Sequence, residues 1–326
     1  MKVLFIGGTG IISSACSSLA IAKGIELYHL NRGQSASIRN IEGVKTLIAD
    51  IRNPEETHRV LQNHHFDAVV DWIAFEPGHI RQDIEIFTGI TEQFVFISSA
   101  SVYQTPPERL PVTEECPLDN PFWDYSRDKI ACENLLREAY AKDGFPCTIV
   151  RPSHTYDRTL LPFPGGYTTL HRMKQGLPLV VHGDGTSIWT LTHHEDFAVG
   201  LVGLLGKPEA ISEDYHITSD EWLSWNNIYR IIAGELDIEP QLRHIPSHII
   251  AKYDERMGSS LLGDKAHSMI FDNSKIKKLV PEFNASIPFR QGAKEIVQWY
   301  EKNAANYQVD ARINGLMDNM IADHGA

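Results

Sequence analysis

Tyr125 and Lys129 are the two residues of this sequence whose types and spacing carry the clearest chemical meaning. A separation of four residues puts both side chains on one face of a helix. There we expect the lysine ammonium to lower the pKa of the phenol from its ordinary value of about 10 toward working pH. A tyrosine in this setting donates or accepts a proton at a carbon–oxygen centre. The spacing alone is a weak signal, since chance gives on the order of half a match in such a chain.

Two motifs that precede this pair strengthen it. The apolar run at residues 3–6 leads into Gly7-x-x-Gly10-x-x-Ser13. Glycines after a strand let the backbone approach a pyrophosphate at the N-terminus of the following helix. Ser98-Ser99-Ala100-Ser101 then lies between the glycine loop and the Tyr–Lys pair. A simple strand-to-helix turn without a cofactor is the alternative interpretation of the glycines, and the conjunction of motifs argues against it.

Strands and helices are predicted to alternate through the first half of the chain. Apolar runs and helical periodicity predict strands at 3–6, 26–30, 44–49, 68–73, 94–97 and 148–150, and helices at 13–23, 54–63 and 126–141. This alternation implies a parallel sheet with right-handed crossovers and ligands at the carboxyl ends of its strands. We therefore predict an α/β fold, a doubly wound parallel-sheet Rossmann domain with a smaller, interleaved α/β substrate lobe.

Charge and composition argue against several classes of protein. With 30 Lys and Arg against 42 Asp and Glu, the net charge is −12, whereas a nucleic-acid surface needs a basic patch. No apolar run approaches a membrane span, and no signal-peptide cleavage pattern follows the first strand. The four cysteines lack metal-ligand spacing, so we expect no metal site and unpaired thiols in a reducing cytoplasm; they are Cys16, Cys116, Cys132 and Cys147.

Together the motifs resemble those of the extended (atypical) short-chain dehydrogenase/reductases, the family that includes NAD(P)-dependent epimerases and dehydratases. The resemblance is specific over about residues 1–196 and fainter to about residue 299. It implies that Tyr125 is the acid/base, that Lys129 lowers its pKa and binds the nicotinamide ribose, and that Ser99 orients the reacting oxygen. The cofactor carries the hydride. A homodimer is also implied by the resemblance alone.

The resemblance further assigns a cofactor site. Its members are Gly7, Thr9, Gly10, Ile11, Ile12, Asn31, Arg32, Asp50, Ile51, Ile73, Ala74, Phe75, Ser98, Tyr125, Lys129, Pro152, Ser153 and His154. NAD-binding members usually carry an acid after the second strand, where this sequence has Asn31 and Arg32. Arg32 suits a 2′-phosphate, so we predict NADP, with NAD as the alternative. Alternative interpretations make Arg32 a solvated charge, Asp50 a helix cap and His154 a structural residue.

The substrate prediction departs from the best-known members of the family. Nucleotide-sugar enzymes hold the substrate pyrophosphate with arginines, one of them usually after a Gly-Asp-Gly turn. Here Gly183-Asp184-Gly185 is present, but Trp189 occupies the arginine position. We predict a sugar-like substrate without a nucleotide diphosphate, in contact with Ser101, Trp123 and Trp189. Alternatively, Trp189 belongs only to the core and the charge comes from another arginine; the candidates are Arg158, Arg172 and Arg256.

The predicted function is an NAD(P)-dependent oxidoreductase or epimerase acting on a sugar-like secondary alcohol or ketone. We place the NAD(P)-binding domain at 1–160, with its sheet completed by parts of 176–220, and the substrate lobe mainly at 161–326. A nucleotide-sugar epimerase or dehydratase is the alternative within the family. Asn31-Arg32-Gly33 and residues 267–272 also resemble chloroplast stem-loop-binding proteins, so an RNA-binding or redox-sensing protein on this fold is the alternative of another class.

Overall fold

A computed structural model describes residues 1–33 and 41–324. The described strands, numbered in chain order, are β1 (Lys2–Ile6), β2 (Glu26–Asn31), β3 (Lys45–Ile48), β4 (Ala68–Asp71), β5 (Phe94–Ile97), β6 (Cys147–Pro152), β7 (His154–Tyr156), β8 (Leu179–His182), β9 (Ile188–Trp189), β10 (Leu191–His193), β11 (Asp214–Ile217), β12 (Leu223–Ser224) and β13 (Leu242–Ile245). The described α-helices are α1 (Ile11–Ala22), α2 (Pro54–Leu61), α3 (Pro77–Phe87), α4 (Asp124–Asp143), α5 (Tyr167–Lys174), α6 (His194–Leu204), α7 (Trp225–Glu235), α8 (Ser247–Tyr253), α9 (Glu255–Ser260), α10 (Ser274–Leu279), α11 (Phe289–Asn303) and α12 (Ala311–His324).

The central sheet has seven parallel strands in the order β11-β6-β5-β4-β1-β2-β3. The strand order changes direction between β1 and β4, and such a switch point leaves a crevice at the carboxyl ends of the two strands. β11 comes late in the chain and pairs with β6 at one edge of the sheet. The predicted α/β class and doubly wound parallel sheet are confirmed.

Apolar side chains cover both faces of this sheet, as a buried parallel sheet requires. On one face Val3 and Phe5 pack with residues of α1 and α6, such as Phe197. On the other face Leu4 and Ile6 pack with residues of α2, α3 and α4. Full burial of one such side chain contributes about 1.5–3 kcal/mol, so the two layers hold the strand ends firmly in place.

Outside the central sheet, the described strands form three two-stranded sheets, which pair β7 with β10, β9 with β12 and β8 with β13. A large apolar cluster joins this region to the first half, because Ala100 and Tyr103 pack in the same cluster as Trp189 and Trp225. No described helix has the length and apolar character that a membrane crossing requires. Residue 160 as a domain boundary and the cytoplasmic compartment stay predictions.

One predicted strand differs from the structure, and one helix of the structure was not predicted. Helix α3 (Pro77–Phe87) was not predicted, because its buried Ile80 and Phe87 alternate with polar residues such as Asp83 that also face inward. The predicted strand at 68–73 ends at Asp71, whose Oδ1 accepts hydrogen bonds from the backbone N–H groups that follow and turns the chain away. Farther along the chain, Thr190 separates the two short strands β9 and β10.

Candidate active site

The loop after β1 turns at two glycines. Gly7 and Gly8 have φ angles of +100° and +88°, a region that glycine adopts without steric strain. A Cβ atom on Gly8 would lie 2.5 Å from the His29 ring, so a larger residue would collide there. The loop leads to Gly10, which precedes α1 and donates from its N–H to Ser13 Oγ at 2.8 Å. Ser13, which replaces the third glycine of the motif, therefore helps to cap the helix.

A cavity of about 350 Å³ opens beside this loop. Most of the predicted cofactor residues line it: Gly7, Thr9, Gly10, Ile12, Ile73, Phe75, Ser98, Tyr125, Lys129, Pro152 and Ser153. Ile73 and Phe75 are 36% and 45% exposed, which is unusual for large apolar side chains beside a sheet. An apolar wall facing the N-terminus of a helix suits a ligand that has both a flat ring and a phosphate.

The other predicted cofactor residues lie around the cavity without lining it. Arg32 is exposed just after β2, next to Asn31, whose Oδ1 accepts from the Gly33 N–H at 2.9 Å. Asp50 Oδ1 accepts from the Arg52 N–H at 3.0 Å, so this carboxylate holds a turn. Three more take structural positions, namely Ile11 at the start of α1 and the buried Ile51 and Ala74. Their roles in cofactor binding stay predictions.

Lys129 lies at the inner end of the cavity and is almost fully buried. Its Nζ donates to the carbonyl oxygens of Ala74 at 2.7 Å and Ile97 at 2.8 Å. The ammonium also lies 4.8 Å from the centroid of the Phe75 ring. Burial lowers the pKa of Lys129 to about 8. The lysine thus joins the loop after β4 to the end of β5 through two backbone carbonyl groups.

Tyr125 lies one helical turn before Lys129, as the spacing predicted, but its pKa shifts in the opposite direction from the expected one. Burial raises the pKa of Tyr125 to about 12; the hydrogen bond to Ser99 opposes this shift, and the charge of Asp264 adds to it. The Lys129 ammonium lies 5.8 Å from the centroid of the phenol ring and donates to backbone carbonyls. In this arrangement the lysine therefore does not offset the burial of the phenol.

Ser99 belongs to a chain of hydroxyl groups. Ser99 Oγ lies 2.9 Å from Ser101 Oγ, and Ser126 Oγ donates to Ser101 Oγ at 2.8 Å. Ser101 and Ser126 are buried, so these two hydroxyls support Ser99 from behind. The structure thus brings Ser99, Tyr125 and the predicted substrate residue Ser101 together.

A second cavity, of about 260 Å³, adjoins the first. The two share four residues of their walls, which are Ser99, Tyr125, Pro152 and Ser153. The predicted substrate residues Ser101, Trp123 and Trp189 all line the second cavity. His154, predicted for the cofactor, lines this cavity as well and is not part of the first one.

Sequence reasoning missed two charged residues in the second cavity. Lys265 Nζ lies 3.1 Å from Asp264 Oδ2, and it lies 5.7 Å and 5.9 Å from the ring centroids of Trp123 and Trp189. The arginine pattern of nucleotide-sugar enzymes does not include this Asp–Lys dipeptide. No hydrophobic periodicity marks it, because it belongs to a short π-helical turn, Leu261–Lys265. The position of this turn late in the chain is the sequence feature that could have pointed to these two residues.

The arginines considered as substitutes for Trp189 lie elsewhere. Arg172 is fully buried and paired with Asp318 at 2.7 Å. The Arg158 guanidinium lies 4.4 Å from the Trp299 ring centroid. Arg256 is exposed on α9. None of the three is among the residues that line the second cavity.

The cysteines and possible metal ligands are not part of this site. The four cysteines are free thiols, three of them buried. Within residues 1–33 and 41–324, no group of three or more His, Cys, Asp or Glu side chains is placed to hold a metal ion.

The parallel sheet, the glycine loop and the Tyr–Lys pair define a Rossmann-type dinucleotide-binding protein. The chain belongs to the NAD dependent epimerase/dehydratase family, whose model matches residues 3–89 and 86–218. This membership confirms the predicted family and its class of NAD(P)-dependent oxidoreductases and epimerases.

Individual relatives are distant and differ in what they are named for. A chloroplast stem-loop binding protein of Arabidopsis thaliana is 25% identical over 74% of this chain, which spans 65% of that relative's length. A 2′-dehydrokanamycin reductase of Streptomyces kanamyceticus is 24% identical over 87% of this chain and 80% of its own length. The similarity to the stem-loop-binding branch is therefore confirmed.

A solved structure supports the fold. UDP-glucose 4-epimerase from Bifidobacterium longum, in complex with NAD⁺ and UDP, matches with a TM-score of 0.76. The identity is 19%, and the match covers 94% of this chain and 100% of that one. The cofactor named for this structure is NAD⁺, so the predicted preference for NADP finds no support in it.

Proposed function

We propose that this protein is an NAD(P)-dependent enzyme that oxidises or reduces a secondary alcohol or ketone of a sugar-like substrate, with or without epimerisation. One observation carries the proposal: Ser99 and Tyr125 stand in the wall that two adjoining cavities share. A reacting carbon held at that wall would face a cofactor on one side and the rest of the substrate on the other.

The first cavity suits the pyrophosphate and the nicotinamide half of a dinucleotide. The glycine loop and the start of α1 would hold the pyrophosphate, and the exposed side chains of Ile73 and Phe75 offer an apolar surface to a flat ring. The buried Lys129 Nζ donates two of its three protons to carbonyl oxygens. Its third proton would be donated to a ribose hydroxyl. NAD(P) bound here would supply the hydride acceptor or donor.

Side chains of the protein would transfer the proton. The Ser99 hydroxyl would hold the substrate oxygen, and Tyr125 Oη would take a proton from an alcohol or give one to a ketone. A phenol with a pKa of about 12 in the free protein is a donor at neutral pH, which favours ketone reduction as the direction that it assists first.

The cofactor preference that we propose is NADP. Arg32 is exposed at the carboxyl end of β2 and forms no ion pair with any described residue. That strand end is where the adenine ribose lies in dinucleotide-binding folds. A guanidinium at this place suits a 2′-phosphate.

The substrate that we propose lacks a nucleotide diphosphate. The second cavity offers Trp189 and Lys265 but no arginine side chain, and bidentate arginines are the usual partners of a pyrophosphate. A relative named for the reduction of 2′-dehydrokanamycin supports this substrate class, whereas the relatives named for UDP-glucose and dTDP-glucose support a sugar nucleotide.

Turnover assays would test this function directly. NADPH and NADH oxidation should be followed with a panel of keto sugars, and NADP⁺ and NAD⁺ reduction with the corresponding alcohols. An RNA mobility-shift assay in parallel examines the stem-loop-binding alternative, which one relative supports and the net charge of −12 opposes. RNA binding without turnover of any substrate would overturn the proposal. A homodimer stays a prediction.

A further inference from the structure

We propose that the second cavity binds one uncharged sugar ring through its hydroxyl groups, with Trp189, His154 and the Asp264–Lys265 pair selecting for it. This inference rests on the proposed function, because it concerns the substrate of the same site.

The volume of the second cavity suits a single sugar ring. The cavity holds about 260 Å³, whereas pockets for drug-sized ligands start at roughly 300 Å³. One pyranose-sized ring fits this space, whereas a nucleotide diphosphate attached to it would have to extend beyond the residues that line the cavity. The ring would reach Ser99 and Tyr125, which stand in the wall toward the first cavity.

Two residues of the cavity wall have buried nitrogen atoms without a hydrogen-bond partner among the described residues. Trp189 is 4% exposed, and its Nε1 has no hydrogen-bond partner among the described residues. His154 Nε2 is also buried without such a partner. Buried polar groups in proteins are almost always hydrogen-bonded, and both residues line the same cavity, so a ligand there could provide the missing partners once the two side chains turn their nitrogens toward it. Sugar hydroxyls both donate and accept, and they therefore suit an indole N–H and an imidazole nitrogen.

The two charged side chains of the second cavity compensate each other. Lys265 Nζ is held by Asp264 Oδ2 at 3.1 Å and by Ser260 Oγ at 2.9 Å, beside the rings of Trp123 and Trp189. Burial and the neighbouring Lys265 hold the pKa of His154 near 3, so this ring is neutral at physiological pH. The cavity therefore has no uncompensated charge. A carboxylate, phosphate or ammonium on the ligand would have to break the pair or remain unpaired, and both are unfavourable in a buried site.

Aromatic side chains of the cavity wall suit the apolar face of a sugar ring. Trp123 and Trp189 line the cavity, and Tyr125 contacts Trp123 with ring centroids 4.9 Å apart. Flat aromatic surfaces pack against the C–H face of a sugar, while the hydroxyls at its edge reach the polar atoms. A ring held in this way presents one edge to Ser99.

Matched sugars and two charge-removing variants test the inference. Calorimetry on the full-length protein with saturating NADP⁺ should compare glucose and galactose with glucuronate, glucosamine and UDP. We expect the wild type to bind a neutral hexose about ten-fold more tightly than either charged sugar. Its affinity for UDP should be no higher than its affinity for the charged sugars. Asp264→Asn leaves Lys265 uncompensated and should shift the preference toward glucuronate by about ten-fold. Lys265→Met leaves Asp264 uncompensated and should shift it toward glucosamine by a similar factor.

A further variant tests the hydrogen bonds separately from the charges. His154→Leu should weaken binding of the neutral hexose about ten-fold, and His154→Gln, which retains a polar group, should restore part of it. Thermal unfolding of each variant identifies any that fails to fold. Because calorimetry reports binding whether or not turnover follows, a protein that binds neutral sugars but transfers no hydride would contradict the proposed function and support this inference.

Three results would overturn the inference. One is equal or tighter binding of glucuronate, glucosamine or UDP by the wild type. Another is an unchanged charge preference in both folded charge variants. The third is binding of no sugar at all by a protein that binds cofactor normally.

Discussion

Arg151 and Glu133 form a bidentate ion pair between two fully buried side chains. Arg151 Nε lies 2.9 Å from Glu133 Oε1, and Arg151 Nη2 lies 2.6 Å from Glu133 Oε2. Ser98 Oγ donates to the same Oε1 at 2.6 Å. The pair therefore ties β6 to α4, the helix of Tyr125 and Lys129, and to the residue beside Ser99. Helix α4 is therefore held against the sheet by charge as well as by apolar packing.

Replacing one member of this pair should destabilise the fold. Glu133→Gln leaves the Arg151 guanidinium with Asp214 as its remaining carboxylate, at 2.8 Å. We expect the free energy of unfolding in urea to fall by about 3–5 kcal/mol, the usual effect of breaking a buried pair. Glu138→Gln, at an exposed position of the same helix, is the control and should change it by less than about 0.5 kcal/mol. Equal effects of the two substitutions would contradict the structural role of the pair.

Removing the Tyr125 hydroxyl should slow the reaction while leaving cofactor binding intact. Lys129 is held by backbone carbonyls independently of the phenol, so Tyr125→Phe should bind NADP(H) as the wild type does. The turnover rate should fall on the order of 10²–10⁴-fold, as expected for loss of a general acid/base. Tyr140→Phe, on an exposed part of α4, should retain full activity. Turnover of an identified substrate by Tyr125→Phe at close to the wild-type rate would show that another group moves the proton.

Cofactor binding should take up a proton above pH 8. Burial holds the pKa of Lys129 at about 8, below its ordinary 10.5, so the free protein loses this charge as the pH rises past 8. The anionic dinucleotide favours the charged form and raises the pKa of Lys129 in the complex. The complex therefore binds more protons than the free protein, and cofactor affinity should fall as pH rises from about 8.

Calorimetry at about pH 9, in buffers with different ionisation enthalpies, measures this uptake directly. Lys129→Met has no titrating amine at this position, so its uptake should be absent and its affinity lower but insensitive to pH. Wild-type affinity that stays constant above pH 8 would indicate that Lys129 does not sense the cofactor.

Arg32 should determine the choice between the two dinucleotides. A guanidinium–phosphate contact contributes about 1.5–3 kcal/mol, so Arg32→Ala should weaken NADP binding by that amount and leave NAD binding nearly unchanged. Titration of both cofactors into both proteins gives the ratio, and NAD serves as the internal control. Equal affinities of the wild type for NADP and NAD would contradict the preference, in line with the NAD⁺ in the epimerase structure.

The features that could be predicted from the sequence are local ones. Gly7, Gly10 and Ser13 lie within one turn between a strand and a helix, and Tyr125 and Lys129 lie within one helical turn, so spacing alone brings each set together. The parallel sheet followed from the alternation of apolar runs and helical periodicity.

The features that could not be predicted depend on contacts between distant segments. Asp264 and Lys265 meet Trp123 only through the packing of a late turn against the start of α4. The pKa of Tyr125 depends on how deeply the phenol is buried, and a one-dimensional pattern contains no information on this depth.

The row of hydroxyls behind Ser99 has a directional consequence. Each serine has a single proton, and Ser126 gives its proton to Ser101. Among the described residues, the proton of Ser101 then has only Ser99 Oγ as an acceptor. Ser99 consequently directs its own proton away from this row, toward the Tyr125 hydroxyl or toward a ligand oxygen that takes the place of that hydroxyl. The site is thereby polarised, before any ligand arrives, toward an oxygen that offers a lone pair, such as a carbonyl.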